Sequence, residues 1–327
     1  MKNLKGSFIL FIAAFLWGTT FVAQVSGASH IGVFTYNAGR SFVGCLFLFL
    51  VAFIKDRINS KNNVKDTASG KWPVKGGIIC GLVLFFAMST QQAGIALYPD
   101  GVAAAGRSGF LTAVYVVIVA VVAAIADRQL NILVLLSVLG TVCGMYLLCL
   151  KDGFSGIYKG DFLGLICAFC FAGHILVVDK YKDTDCIKLS CIQFLVSGIL
   201  ALVCCMATEK IVLADIISSA IPILYAGILS SGVAYTLQMA GQKYAQPAVA
   251  AIVMSLESVI AVLAGAVVLH EVLVGREIVG CVIVFLSVIL AQMPDMRYSF
   301  IQRIFRLHPN PHFRLELHFA MDRLEKK

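Results

Sequence analysis

Long apolar stretches recur along this chain and constrain its fold more than any other feature of the sequence. A helix that crosses a bilayer needs about 20 mainly apolar residues. Because 60% of the 327 residues are hydrophobic and only 13% are charged, a water-soluble fold could not bury all the apolar side chains. We therefore predict an all-α integral membrane protein with ten transmembrane helices. The ten stretches cover residues 7–26, 31–54, 76–97, 101–126, 131–150, 160–178, 187–207, 216–240, 247–269 and 275–293.

The basic residues are unevenly distributed between these stretches and indicate the topology. If the N-terminus is cytoplasmic, 20 of the 26 Lys and Arg residues face the cytoplasm and only four lie outside. Cytoplasmic loops carry an excess of Lys and Arg, and the excess alternates correctly here only with an even number of spans. We predict a multi-pass protein of the plasma or inner membrane, with both termini in the cytoplasm. The net charge of +8 then reflects topology, since no motif for binding nucleic acid accompanies it.

The two halves of the chain resemble each other at an offset of 154 residues. Residues 6–24 and 160–178 align without a gap and share five identities. The triplet Val-Ala-Ala also recurs, at residues 102–104 and 249–251. Five spans in each half would insert the second copy upside down relative to the first. We therefore predict two inverted five-helix repeats, an architecture that many transporters share.

The chain divides into a first repeat over residues 1–150, a second over residues 151–294 and a basic tail over residues 295–327. In the tail, apolar residues alternate with arginines at helical spacing, which suits an amphipathic helix on the anionic inner leaflet. A disordered solubilising tail is the alternative. The chain begins with Lys2 and Lys5 before an apolar run, as a signal peptide does. The length of that run and the nine stretches after it favour a retained span.

The sequence carries no motif for catalysis or for nucleotide-driven pumping. It lacks the His-Glu-x-x-His and Gly-x-Ser-x-Gly patterns and the phosphate-binding Gly-x-x-x-x-Gly-Lys loop. Cys167 and Cys170 have the spacing of a metal-binding pair, but no second pair follows them. Most of the 11 cysteines are therefore expected to pack as small apolar side chains. We expect neither enzymatic activity nor a cofactor or metal.

One acidic residue, Glu257, lies about halfway along the ninth stretch. An ionisable group at that depth is costly unless it is paired or faces water, which makes it a functional candidate. It would bind an amine of a solute or carry a proton during transport. The alternative is a structural ion pair with Arg40 or Arg107, basic residues that lie a turn or two inside predicted spans. For both arginines the sequence leaves open whether they receive a carboxylate, pair structurally or extend to the membrane surface.

Uncharged polar residues recur on single faces of several predicted helices. Since a glutamine facing lipid would have unsatisfied hydrogen-bonding groups, these faces are predicted to turn inward. Hydrogen bonds between helices are the commoner fate of such side chains, so an inward position alone does not indicate a solute site. A buried histidine is likewise more often structural than part of a proton relay. The remaining candidates for solute binding or coupling are Trp17, Gln24, Gln91, His174, Tyr235 and Gln238.

Three motifs carry a resemblance to a known family. They are AFLWGT at residues 14–19, GVAYTLQ at residues 232–238 and, as the most specific, PAVAAIVMSLESV at residues 247–259. Together with Arg40, they resemble the EamA-type branch of the drug/metabolite transporter superfamily over roughly residues 6–293. The resemblance implies a ten-helix carrier, typically an exporter of amino acids, related metabolites or drugs. It also implies that the fifth and tenth helices lie outside the cavity.

The chain departs from the family pattern at two positions. Ser258 stands where the family usually has proline, which affects how the ninth helix bends, and His270 stands where it usually has glycine. We predict a secondary transporter that moves a small metabolite across the cell membrane by alternating access. Export of amino acids or related compounds is the preferred form, with proton coupling through Glu257 as one option. Uptake or facilitated movement of a metabolite or drug is the alternative, and a non-transporting membrane scaffold is a third.

Overall fold

The computed structural model describes residues 2–61, 72–99, 102–127, 132–149, 158–268 and 275–291. Throughout these residues the chain is helical, with turns between the helices and no strand. The tail over residues 295–327, predicted to be an amphipathic helix, lies outside the described residues. The junction of the two predicted repeats, residues 150–157, also lies outside them.

Fourteen helices and one π-helical segment follow one another in the described part of the chain. In order they are α1 (Lys2–Ala28), α2 (Val33–Lys61), α3 (Val74–Ala96), α4 (Ala104–Ala113), α5 (Tyr115–Asp127), α6 (Ile132–Cys149), α7 (Lys159–Lys180), α8 (Cys186–Thr208), α9 (Leu213–Ser218), α10 (Ala220–Tyr225), the π-helical segment (Ala226–Ala234), α11 (Tyr235–Gln242), α12 (Pro247–Met254), α13 (Leu256–Val268) and α14 (Gly275–Ala291).

Eight candidate spans in the described residues are long and apolar enough to cross a membrane. Five are the single helices α1, α2, α3, α7 and α8. Three are composite, formed by α4 with α5, by α10 through α11, and by α12 with α13. Helices α6 and α14, with 18 and 17 residues, are apolar but shorter. An all-helical, multi-pass membrane fold is thereby confirmed, and the count of ten spans stays a prediction.

The fourth, eighth and ninth predicted spans are interrupted, whereas the sequence pattern reads as continuous. The fourth breaks at Val114 and the ninth at Ser255. The Ser255 hydroxyl donates to the Ile252 carbonyl at 2.7 Å, and the Ser258 hydroxyl donates to the Ser255 carbonyl at 2.8 Å. Such bonds compete with the helix pattern and often bend helices. The eighth widens into the π-helical segment, a distortion that is frequent at functional sites.

Glycines allow the closest approaches between helices. A Cβ atom on Gly144 of α6 would lie 2.8 Å from the Gly280 carbonyl oxygen of α14. One on Gly81 of α3 would lie 2.7 Å from the Gln193 carbonyl oxygen of α8. Helices α3 and α6 each carry glycines at Gly-x-x-x-Gly spacing, which lets the backbones of neighbouring helices approach. Along the bundle, α2 packs on α8, α3 on α7 and α8, α1 on α13, and α6 on α14.

The outer surface of the bundle is apolar and its interior contains polar side chains. Phe162 and Met206 are 69% and 72% exposed, which a protein in water avoids but a protein in lipid does not. Gln92, Gln193 and Ser231, in contrast, are completely buried. The hydrogen-bonding groups therefore lie between the helices, and the apolar side chains face the lipid.

Candidate functional site

A crevice between the helices collects most of the predicted site residues. In this conformation its cavity volume is about 30 Å³, far smaller than that of small-molecule sites, so a solute would enter only once the helices move apart. None of the described residues of α6 or α14 lines it, in agreement with the position that the family resemblance implies for the fifth and tenth helices. The lining residues are Trp17, Thr20, Phe21, Gln24, Arg40, Gln91, Thr112, Tyr115, Phe171, Ile175, Ser230, Tyr235, Gln238, Met254 and Glu257.

Two opposite charges, Arg40 and Glu257, line this crevice without pairing. Arg40 is 2% exposed and Glu257 is 4% exposed. None of the ion pairs among the described residues involves either side chain. Nε and Nη1 of Arg40 and Oε1 of Glu257 also have no hydrogen-bond partner there. Because an uncompensated buried charge is costly, these groups are suited to a solute that brings a charge to each of them.

Arg40 is held in place by neighbouring side chains that leave most of its guanidinium free. Its Nη2 donates to the Ser230 hydroxyl at 3.4 Å, a long hydrogen bond. The guanidinium carbon also lies 5.9 Å from the centre of the Tyr36 ring, within the range of a cation–π contact. Ser230 belongs to the π-helical segment, so this distortion helps to fix the cation at the crevice.

A chain of amides and a hydroxyl crosses one wall of the crevice. Gln24 donates through Nε2 to Gln91 Oε1 at 3.0 Å. Gln91 in turn donates to the Thr112 hydroxyl at 3.1 Å. These bonds join α1, α3 and α4, which confirms that both glutamines turn inward. Much of their hydrogen-bonding capacity is used between helices, the fate that polar groups in membranes commonly have.

Aromatic rings form another part of the crevice lining, around Tyr235. The rings of Trp17 and Tyr235 meet edge to face, with centroids 4.8 Å apart, a favourable arrangement. The Trp17 indole N–H and the Gln238 Oε1 have no partner among the described residues. His174 does not line the crevice. Its ring meets the Tyr235 ring edge to face, with centroids 5.8 Å apart, and its Nε2 lies 3.1 Å from Gln193 Oε1.

Arg107, like His174, is a predicted site residue that lies outside the crevice lining. It forms a two-pronged ion pair with Asp161, at 2.6 Å from Nε to Oδ1 and 2.7 Å from Nη2 to Oδ2. The Tyr98 hydroxyl donates to Asp161 at 2.9 Å, and the Tyr158 ring centre lies 4.8 Å from the guanidinium carbon. The pair connects α4 of the first half to α7 of the second.

Sequence reasoning missed several residues of the crevice. Thr112, Tyr115, Phe171 and Ser230 line it but lie in long apolar runs, where a single hydroxyl or ring does not stand out. The Tyr115 hydroxyl is enclosed and lies beside the Glu257 carboxylate, with which it interacts. A useful signal would have been the position of these hydroxyls next to helix interruptions, which the sequence pattern does not reveal.

Comparison with known proteins points to one family. The sequence model of the EamA-like transporter family matches residues 4–150 and 158–293. An Archaeoglobus fulgidus protein called an uncharacterized transporter is 26% identical over 299 residues, which are 90% of this chain and 87% of that protein. Bacillus subtilis YoaV, also called an uncharacterized transporter, is 23% identical over 278 residues, which are 82% of this chain and 90% of that protein.

A solved crystal structure has the same fold. It superposes with a TM-score of 0.72 at 17% identity and covers 90% of this chain and 98% of its own. The family match covers most of both halves and agrees with a helical membrane bundle that encloses a polar crevice. We conclude that this chain is a membrane transporter and belongs to the EamA-like transporter family of the drug/metabolite transporter superfamily.

Proposed function

We propose that this protein is a secondary transporter that exports an amino acid or a similar zwitterion by alternating access. One observation carries the proposal. Arg40 and Glu257 are both buried, face the same crevice and have unpaired polar atoms. A solute with a carboxylate and an ammonium group would compensate both charges at once, in the low dielectric where such bonds are strongest.

The rings around the crevice extend this proposal to the rest of the solute. Trp17, Phe21, Phe171 and Tyr235 supply apolar faces, and small-molecule sites generally combine such faces with a few directing polar groups. An amino acid with an apolar side chain therefore matches the lining better than one with a second charge. Gln238 has an unpartnered oxygen, and the Tyr115 hydroxyl interacts with Glu257; both would help to orient the charged end.

Alternating access needs two halves that exchange roles, and the packing supports this. Helix α1 packs on α13 while α4 packs on α7, and α2 packs on the π-helical segment while α3 packs on α8. Helices α2 and α8, and likewise α6 and α14, pack on their own counterparts. Such reciprocal pairs are expected around a two-fold axis. Together with the family match in both halves, they support the inverted five-helix repeats and the ten spans.

Glu257 is also the proposed site of proton coupling. Among the described residues no other acidic side chain lines the crevice, and carriers use carboxylates at this depth as proton relays. A carboxylate that alternates between solute amine and proton would link the two movements. We propose cytoplasmic positions for both termini from the distribution of Lys and Arg, and we propose export, rather than uptake, from the resemblance to the family.

Efflux from proteoliposomes tests the proposal. We expect the protein to release radiolabelled leucine or phenylalanine faster than protein-free vesicles do. Glu257→Gln and Arg40→Gln should each slow release about tenfold or more, since a charge-assisted hydrogen bond contributes about 1.5–3 kcal/mol. Matched controls are Asp215→Asn and Arg57→Gln, which remove the same charges from exposed positions.

Truncated solutes assign each charge to its partner. Competition by the amine that lacks a carboxylate should depend on Glu257 and survive Arg40→Gln. Competition by the acid that lacks an amine should show the reverse dependence. Normal efflux by Glu257→Gln and Arg40→Gln over a range of pH would disprove both the binding and the coupling roles.

A further inference from the structure

A second arrangement of reactive groups lies away from the crevice, at the contact of α2 with α8. The Sγ atoms of Cys45 and Cys191 are 3.8 Å apart, and Cys191 Sγ also lies 3.6 Å from the Cys45 carbonyl oxygen. A disulfide bond needs sulfur atoms about 2 Å apart, so the two thiols are in contact but must move closer before they can bond. The two residues belong to different halves and are separated by 146 positions.

Polar contacts at both ends of the two helices hold these thiols opposite each other. At one end, Lys55 and Asp185 are 2.8 Å apart, and Lys188 and Asp56 are 2.9 Å apart. Both pairs join the last part of α2 to the start of α8. In the first pair α2 supplies the cation, and in the second it supplies the anion.

At the other end, the Glu209 carboxylate accepts hydrogen bonds from the backbone N–H groups of Phe34 and Thr35, both at 2.8 Å. The Thr35 hydroxyl donates to the same carboxylate at 2.7 Å. Carboxylates are favourable at helix N-termini, where N–H groups lack intrahelical partners. Because α2 and α8 are fastened at both ends, the cysteines between these ends stay in contact.

The thiols also lie beside an apolar groove on the outer surface of the bundle. The groove is open to lipid, because Leu46, Phe49 and Leu195 on its walls are 61%, 49% and 42% exposed. An oxidant that partitions into the bilayer reaches this groove, whereas a water-soluble one is disfavoured. The lining residues are Phe42, Cys45, Leu46, Phe49, Trp72, Cys191, Ile192 and Leu195.

We propose that Cys45 and Cys191 form a reversible disulfide bond between the two halves, with a membrane-soluble organic hydroperoxide as the oxidant. One thiol attacks the peroxide, the O–O bond breaks, and a sulfenic acid and an alcohol form. The second thiol then attacks the sulfenic sulfur, and water leaves as the S–S bond forms. The peroxide accepts the two electrons that the thiols lose, and a thiol reductant reverses the reaction by exchange.

A cleavable form of the full chain tests this. A protease site is inserted between the halves, at residues 150–157, and the protein in vesicles is treated with cumene hydroperoxide, then cleaved and denatured. We expect the two fragments to stay joined without reductant and to separate with it. Peptide mapping should identify the Cys45–Cys191 bond. The oxidised protein should also unfold at a higher temperature than the reduced one, because the bond closes a long loop.

The control variants separate this bond from other oxidation. Cys45→Ser and Cys191→Ser should each abolish the joined product, whereas Cys204→Ser, at a half-buried position on the same helix, should leave it unchanged. Fragments that separate after peroxide treatment while both thiols remain open to alkylation would overturn the proposal. The same holds if Cys45 and Cys191 are oxidised singly, without a bond, or if the joined product persists in Cys45→Ser.

Discussion

Replacement of Arg107 by alanine tests whether this residue holds the two halves together or serves the solute. The substitution removes the cation and leaves Asp161, among the described residues, with the Tyr98 hydroxyl and the backbone N–H of Tyr158. Loss of one partner of a buried ion pair costs about 3–5 kcal/mol. The side chains here are 15% and 11% exposed, so some hydration remains and we expect about 2–3 kcal/mol.

Thermal unfolding in detergent measures this loss. A loss of that size should lower the apparent unfolding temperature by roughly 3–4 °C for a chain of this length. Asp161→Ala should have a similar effect. The double variant should fall well short of the sum, because the second substitution removes a charge that the first left unpaired. Arg57→Ala, at an exposed position, is the control.

The outcome separates a structural role from a transport role. If Arg107 acts through the ion pair, the exchanged variant Arg107→Asp with Asp161→Arg should recover part of the stability and of the transport rate. The reasoning fails if Arg107→Ala unfolds at the wild-type temperature but no longer transports. In that case the guanidinium would serve the solute directly, as the sequence alone permitted.

Three further predictions concern the helix contacts. Burial opposes the charge on Asp185, but Lys55 and the N–H groups of Lys188 and Ile187 outweigh this effect and lower the pKa of the carboxyl group. The stability that the carboxylate contributes is therefore complete above pH of about 4 and is lost as the pH falls further. Acid should consequently lower the unfolding temperature less in Asp185→Asn than in wild type. Glu209→Ala should cost about 1–2 kcal/mol through the lost N-terminal bonds of α2, whereas Thr208→Ala should cost less in the same denaturation assay. Gly144→Val should destabilise the protein, because its Cβ would lie 2.8 Å from the Gly280 carbonyl oxygen, yet leave the apparent affinity for the solute in efflux assays unchanged.

The helical membrane fold follows from sequence because the bilayer dictates it. Long apolar runs have one stable arrangement in lipid, with each backbone group bonded within its own helix. The interruptions at Val114 and Ser255 do not follow, since they depend on the packing of neighbouring helices and, at Ser255, on local hydroxyl bonds. Sequence spacing assumes a regular helix, so it cannot locate the point where the helix changes direction.

The crevice was partly predictable for a related reason. Glu257 and Gln238 stand out because a polar side chain within an apolar sequence needs a hydrogen-bonding partner or a polar cavity. The contact of Arg107 with Asp161 does not stand out, because 54 positions separate them and either could equally pair elsewhere. His174 shows the same limit, since its side chain is buried but faces Gln193 rather than the crevice. The burial of a side chain can be inferred from that residue alone, whereas a contact between two side chains can be inferred only if both positions in the fold are known.

The short helices α6 and α14 have a consequence for how such a protein can change over time. They touch each other through glycines and supply none of the described lining residues. A substitution there alters how firmly the bundle is braced without altering which solute fits. Selection can therefore adjust the stability of the fold and its selectivity for a solute independently. A chain whose α6 and α14 contact is stable can tolerate more strongly destabilising substitutions in its crevice.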